Sequence, residues 1–384
     1  MPTMRVGFLL PGPPSTPVGG YRVVYSYADR LARRGHQVWV AHAGRLGQLP
    51  PPRPRFPSWP RHLWRTWKRW EPFIKPPAVE WAPLHPGVEM IYLPGEPSAR
   101  RLPAADVVVA TAWPTAEYVA HFGARQGVPF YLIQHRETWH GPSERALATW
   151  KLPIYKVVVS QWLLDEARRA GETEVRRIAS GLEPVFLNHP PAAPRTPSLI
   201  TPYHPYRWKG SADALAALSR IHERWPAVPM TAFGAESRPA DWPRWIKYIE
   251  NPAQEVLARE VYGGHSIFVG ASWQEGFGLM AAEAMACGAV FVGTDSGGCR
   301  DYADPGVTAL LSPPGDVQAL VSNLEAIMTD SVLLETLRRK GQARVRQFTW
   351  DRAVDQLEEY FQYGRARGPL ANAPHPAHSG VSHG

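Results

Sequence analysis

The chain has 384 residues, 42 Lys and Arg against 34 Asp and Glu, and a formal net charge of +8. That length exceeds one ordinary core and suits two α/β domains. The charge favours phosphate-bearing ligands or an anionic membrane surface, and with two cysteines, Cys287 and Cys299, neither a disulfide framework nor a Cys-based zinc site is expected.

The N-terminus carries one Arg and a five-residue apolar run, Val6 to Leu10, before Pro11. This run is too short for a secretory leader, and no apolar stretch reaches membrane-spanning length, so a cytoplasmic protein is expected. Arg5 to Leu10 reads as a buried strand, and Pro11 to Gly20 as a loop. A helix follows with Tyr21, Val24, Ala28, Leu31 and Ala32 on one face, ended by Gly35, and Gln37 to Ala41 reads as a second strand. This βαβ start implies a parallel sheet with its ligand crevice at the carboxyl ends of the strands. Further strands are expected near residues 106–112, 129–134 and 156–160.

The segment from Pro190 to Pro197 reads as an interdomain linker. Beyond it a second βαβ series is expected, with strands near residues 198–203, 229–233, 266–270, 289–293 and 308–311. A helical pattern from Thr349 to Tyr363 precedes a Pro/His/Gly/Ser tail that cannot bury a core. The expected fold class is therefore α/β, with two Rossmann-like halves facing each other across a cleft. The N-terminal half spans residues 1–190 and the C-terminal half 191–348. A helix over 349–365 packs back on the first half, and 366–384 form a disordered tail.

Four places in this frame carry chemistry. Glu275-Gly276-Phe277-Gly278-Leu279 leads into a small-residue helix that contains Glu283. A Gly-x-Gly step at a helix entrance bares backbone N–H groups and the positive end of the helix dipole, and carboxylates on either side accept hydrogen bonds from sugar hydroxyls. The combination suits a ligand with both phosphate and sugar. Gly19-Gly20, at the first loop–helix junction, either admits a pyrophosphate or forms a plain turn. His204, Arg207 and Lys209 follow the first strand of the second half; the cations there either neutralise a departing diphosphate or form a solvated basic turn. His135 ends a strand, where it either donates to a sugar hydroxyl or serves the structure, and Arg136 and Glu137 beside it are expected to pair with each other.

The segment Trp59 to Trp70 places Trp64, Trp67 and Trp70 at helical spacing among Arg61, Arg65, Lys68 and Arg69. It suits a peripheral membrane contact, stacking on acceptor sugars or bases, or packing on its own domain. His375, His378 and His383 lie in the tail without a scaffold for metal, and no Asp-x-Asp occurs in the chain. A metal holding the diphosphate is therefore not expected.

With these motifs in view, the chain resembles the retaining, nucleotide-sugar-dependent glycosyltransferases of the GT-B fold, family four type (glycosyl transferases group 1). The resemblance covers nearly the whole length and is strongest over residues 255–315, where Glu275 and Glu283 form the E-x7-E motif beside Gly288, Gly297-Gly298 and Asp304-Pro305-Gly306. It implies that Glu275 lies by the donor sugar hydroxyls and Glu283 binds the nucleotide ribose. It also implies that amides around Gly276, Phe277, Gly278 and Leu279 meet the diphosphate, that Gly19 and Gly20 approach it from the facing domain, and that His135 is the cleft histidine. The family usually carries Arg five residues before the Lys, where this chain has His204; Arg207 or a protonated His204 is expected to share the diphosphate with Lys209. The implied activity is transfer of a hexose-type sugar from a nucleotide-diphosphate sugar to a hydroxyl of a glycan, lipid-linked or small-molecule acceptor, with no cofactor beyond that co-substrate. A non-catalytic glycan- or membrane-binding protein of the same fold, or another GT-B sugar-nucleotide enzyme, is the alternative. Nucleic-acid binding accounts for the charge but for none of the cleft motifs.

Overall fold

The computed structural model describes residues 2–14, 17–46, 79, 81–138, 141–188 and 196–370. The tryptophan-rich segment, most of the linker and the histidine tail lie outside the described residues.

The first sheet has seven parallel strands in the order β3-β2-β1-β4-β5-β6-β7. They are β1 Arg5–Leu10, β2 Gln37–Ala43, β3 Val88–Leu93, β4 Val107–Ala110, β5 Val128–Ile133, β6 Tyr155–Val158 and β7 Val175–Arg177. The central strands β4, β5 and β6 are buried at every position, as apolar runs covered by helices on both faces require. The second sheet has six parallel strands in the order β10-β9-β8-β11-β12-β13. These are β8 Leu199–Pro202, β9 Met230–Gly234, β10 Ile246–Glu250, β11 Ile267–Gly270, β12 Val290–Thr294 and β13 Ala309–Ser312.

Each sheet reverses its strand order once, between β1 and β4 in the first and between β8 and β11 in the second. At such a switch point the connections leave in opposite directions and open a crevice at the carboxyl ends of the strands. The loops after β1 and β4 and the end of neighbouring β5 therefore line one wall of the cleft. The loops after β8 and β11 line the other.

The expected strands appear within a few residues of their places, but β3, β7 and β10 were not anticipated. All three unanticipated strands lie at sheet edges, where one side is half exposed and the apolar run is broken.

The helix Trp350–Arg367 returns to the first domain. Tyr360 and Phe361 meet Phe130 edge-on, with ring centroids 5.4 and 4.9 Å apart. Its Glu358 accepts from His36 at 2.6 Å and pairs with Arg34. The junction is tight: a Cβ on Gly181 would lie 2.5 Å from both backbone N and Cα of Trp350. Because the obstacle is backbone, it cannot be relieved by a rotamer change. Gly181→Ala should therefore destabilise the protein by about 1–3 kcal/mol, seen as a lower Tm in thermal unfolding; an unchanged Tm would mean that this helix does not dock as described.

Candidate functional site

The site is built by two loops of the second domain stitched together beneath the first. After β8, Ser211 Oγ donates to the His204 carbonyl and accepts from the His204 amide, both at 2.9 Å, which closes the loop Tyr203 to Gly210 on itself. Gly210 adopts φ +69°, and a Cβ there would sit 1.9 Å from the Ala271 carbonyl oxygen. Only glycine fits, and the close approach joins this loop to the one after β11. The Trp273 amide donates to the Trp208 carbonyl at 2.8 Å across the same seam. Lys209 Nζ thereby reaches Glu275 Oε1 at 2.6 Å, with both side chains largely shielded from solvent. Lys209 also lies 4.4 Å from the centre of the Trp208 ring.

Glu275 is held by its backbone. Its amide donates to Ser296 O at 2.9 Å, and its carbonyl accepts from Gly298 at 3.2 Å and from Trp162 Nε1 at 2.9 Å. Gly278 follows at φ +85° and is the N-cap of the helix Leu279–Ala286, whose entrance has no side-chain cap. Tyr302 Oη donates to Gly278 O at 2.6 Å, fixing that entrance. The first amides of this helix are thus presented toward the cleft, as an anion site needs.

From the first domain, Gly19 and Gly20 open the helix Gly19–Arg33. Gln134 Nε2 donates to Gly20 O at 3.1 Å, and Gly276 packs on the backbone of Gln134 and His135. Gly20, His135, Gly276, Glu275 and Lys209 are thereby gathered at one place. The ring of His135 lies 5.6 Å from that of Trp208 across the cleft. Its Nδ1 accepts from the Arg136 amide at 2.8 Å, so Nε2 carries the proton, facing Gln274 O at 3.4 Å. Burial pushes its pKa down to about 4, against the opposing pull of Glu275, and the ring is neutral near pH 7.

Several expected residues stand differently. Phe277 is buried against Tyr302 and Phe348, each 5.4 Å away, so its ring belongs to the core. Arg207 is exposed, its guanidinium 5.3 Å from the Trp273 ring. His204 Nδ1 accepts from the Tyr206 amide at 3.2 Å. Burial and then Lys209 depress its pKa, so the expected protonated His204 is a neutral ring here. Arg136 and Glu137 do not pair: Glu137 accepts from the Trp113 amide at 2.7 Å, and Arg136 faces Glu166 at 3.8 Å.

Glu283 is the least exposed of the site carboxylates, at 2%. Arg22 Nη2 donates to its Oε1 at 2.8 Å and Tyr262 Oη to its Oε2 at 3.3 Å. Burial raises its pKa, while Arg22 opposes the rise. Arg22, Gln134, Trp162 and Trp208 are the site residues that sequence reasoning missed. Arg22 and Glu283 stand 261 positions apart, and the one available signal for Arg22 was its place two residues after Gly20.

Residues 200–330 match the family described as glycosyl transferases group 1. The D-inositol 3-phosphate glycosyltransferase of Jonesia denitrificans is 30% identical over 155 residues, covering 39% of this chain and 32% of the relative. The O-antigen chain mannosyltransferase B of Escherichia coli is 30% identical over 112 residues, 29% of each chain. The aligned part of the chain spans about a third of the length of these curated relatives. Among solved structures, Anabaena HepE in complex with UDP-glucose superposes with a TM-score of 0.69 at 16% identity, covering 94% of this chain and 100% of that one. Sucrose-phosphate synthase from Thermosynechococcus elongatus gives 0.67 at 18% identity, covering 94% and 99%. These likenesses establish the fold, two parallel sheets in the GT-B arrangement, and over residues 200–330 the chain is similar to the glycosyl transferases group 1 family.

Proposed function

We propose that the protein is a retaining glycosyltransferase that moves a hexose-type sugar from a nucleotide-diphosphate sugar to a hydroxyl of a glycan, lipid-linked or small-molecule acceptor, without a metal. The observation that carries this reading is the Lys209–Glu275 pair at 2.6 Å, set at the uncapped entrance of the helix Leu279–Ala286 and opposite His135. Similar proteins point the same way: the two relatives are glycosyltransferases, and HepE holds UDP-glucose.

In this reading Glu275 accepts hydrogen bonds from hydroxyls of the transferred sugar. Lys209 and the amides at Gly278 and Leu279 stabilise the departing diphosphate. Neutral His135 turns its Nε2–H, with Nε2 3.4 Å from Gln274 O, to a hydroxyl of the sugar. The departing phosphate oxygen takes the proton of the acceptor hydroxyl on the same face, so the new bond keeps the donor's anomeric configuration. The work asked of the protein is positioning and electrostatic stabilisation. Cytoplasmic placement belongs to the same proposal, with peripheral membrane contact through Trp59 to Trp70; among the described residues no helix is long and apolar enough to cross a membrane.

Nucleotide diphosphates and their sugar conjugates should raise the Tm in a thermal-shift screen. With the donor so identified, Glu275→Ala and Lys209→Ala should each cut transfer by about a hundredfold or more while circular dichroism stays native. Full activity in either variant would sink the assignment, and an inverted anomer in the NMR spectrum of the product would sink retention.

His135 also predicts an acid limb of stability. His135 and the buried His42 titrate near 4 in the folded chain and at an ordinary 6.5 when unfolded. Between these values the unfolded chain binds protons that the folded chain refuses, so the contribution of the two histidines to stability falls as pH is lowered from 6.5 toward 4, while buried Glu137, its pKa raised to about 7, acts in the opposite sense. His135→Asn should make that fall shallower in thermal unfolding measured across the window; an unchanged slope would show that His135 is not buried as described.

A further inference from the structure

Two carboxylates and two cations meet in the cleft as matched pairs. Lys209 holds Glu275 at 2.6 Å within the second domain, and Arg22 holds Glu283 at 2.8 Å across the cleft. Arg22 belongs to the first domain, where its guanidinium lies 5.7 Å from the Phe186 ring, yet its side-chain hydrogen-bond partners belong to the second. Besides Glu283, Gln254 accepts from Arg22 Nε at 3.0 Å and Nη2 at 3.1 Å once its amide oxygen is turned toward the guanidinium. The positive charge of the first domain's leading helix is therefore anchored on the donor side.

Its position bears on charge balance. Glu283 lies four residues along the helix from Leu279, about 6 Å of rise from the entrance amides. A nucleoside diphosphate seated at that entrance brings roughly two negative charges into a shielded site, where uncompensated charge is costly. His204 is neutral and Arg207 is exposed, which leaves Lys209 and Arg22 as the shielded cations at the motif carboxylates. Hydroxyls that take over a carboxylate loosen its hold on the paired cation.

We propose that Arg22 is the second diphosphate-binding cation, held on Glu283 until the nucleotide ribose engages that carboxylate and then turned onto the diphosphate. The inference rests on the nucleotide-sugar reading above and adds a residue to that site. Binding of donor would then exchange an internal pair of ion pairs for one diphosphate held by a cation from each domain, and only the whole nucleotide sugar would satisfy both exchanges.

The test is isothermal titration of wild type, Arg22→Gln and Arg22→Gln/His204→Arg with the tightest binder among uridine, guanosine, adenosine and thymidine diphosphates, and with the matching nucleoside. Arg22→Gln should weaken the diphosphate by roughly tenfold or more, leave the nucleoside unchanged and lessen the salt dependence of diphosphate binding. The double variant, with a permanent cation beside Lys209, should recover most of the lost affinity. Unchanged or tighter diphosphate binding in Arg22→Gln would overturn the proposal and leave Arg22 as a clasp between domains. Equal weakening of nucleoside and diphosphate would also overturn it, since Arg22 would then act only by holding Glu283. Wild type that binds none of the four diphosphates would overturn the functional reading itself, and this inference with it.

Discussion

The backbone contact between Gly276 and Gln134 is the constraint on which the cleft depends. A Cβ on Gly276 would lie 1.7 Å from the Gln134 carbonyl oxygen, so no side chain is compatible with this approach of the two domains. Around that point the first domain grips the loop through its backbone: Trp162 Nε1 donates to both the Glu275 and Gly276 carbonyls, at 2.9 and 3.1 Å. Because these contacts use main-chain atoms, the Glu275 side chain is left to face Lys209.

The electrostatics of the site follow from that closeness. Glu275 and Glu283 lie within a shielded seam, where an unpaired carboxylate would be costly, and each has a cation within 2.8 Å. One pair is internal to the second domain and the other spans the cleft. The histidines nearby are handled in the opposite sense. His135 and His204 are shielded enough to stay neutral, so they offer hydrogen bonds and no charge. Positive charge is thus confined to Lys209 and Arg22 at the place where the helix Leu279–Ala286 adds its own dipole.

What was legible in the sequence was the part ruled by local chemistry and burial on both faces. The central strands are continuous apolar runs, and the glycines at 19–20, 276 and 278 mark helix entrances that the structure realises. Edge strands were harder. In β10, Ile246-Lys247-Tyr248-Ile249-Glu250, the exposed positions carry polar side chains that look like a loop until a neighbouring strand is known. Side-chain direction was harder still. Phe277 stands between two glycines of the motif, yet its ring turns into the core against Tyr302 and Phe348.

The sequence by itself determined the fold class, the order of its two halves, and the grouping of carboxylates, glycines and Lys209 at strand ends, because strand burial, glycine backbone freedom and helix entrances are properties of short segments. Only the tertiary structure decided the pairing of charges. Arg136 left Glu137 for Glu166, His204 lost its proton to burial beside Lys209, and Arg22 crossed the cleft to Glu283. Ion pairs and pKa shifts depend on distance and shielding in space, and residues 261 positions apart acquire both only when two domains close on one another.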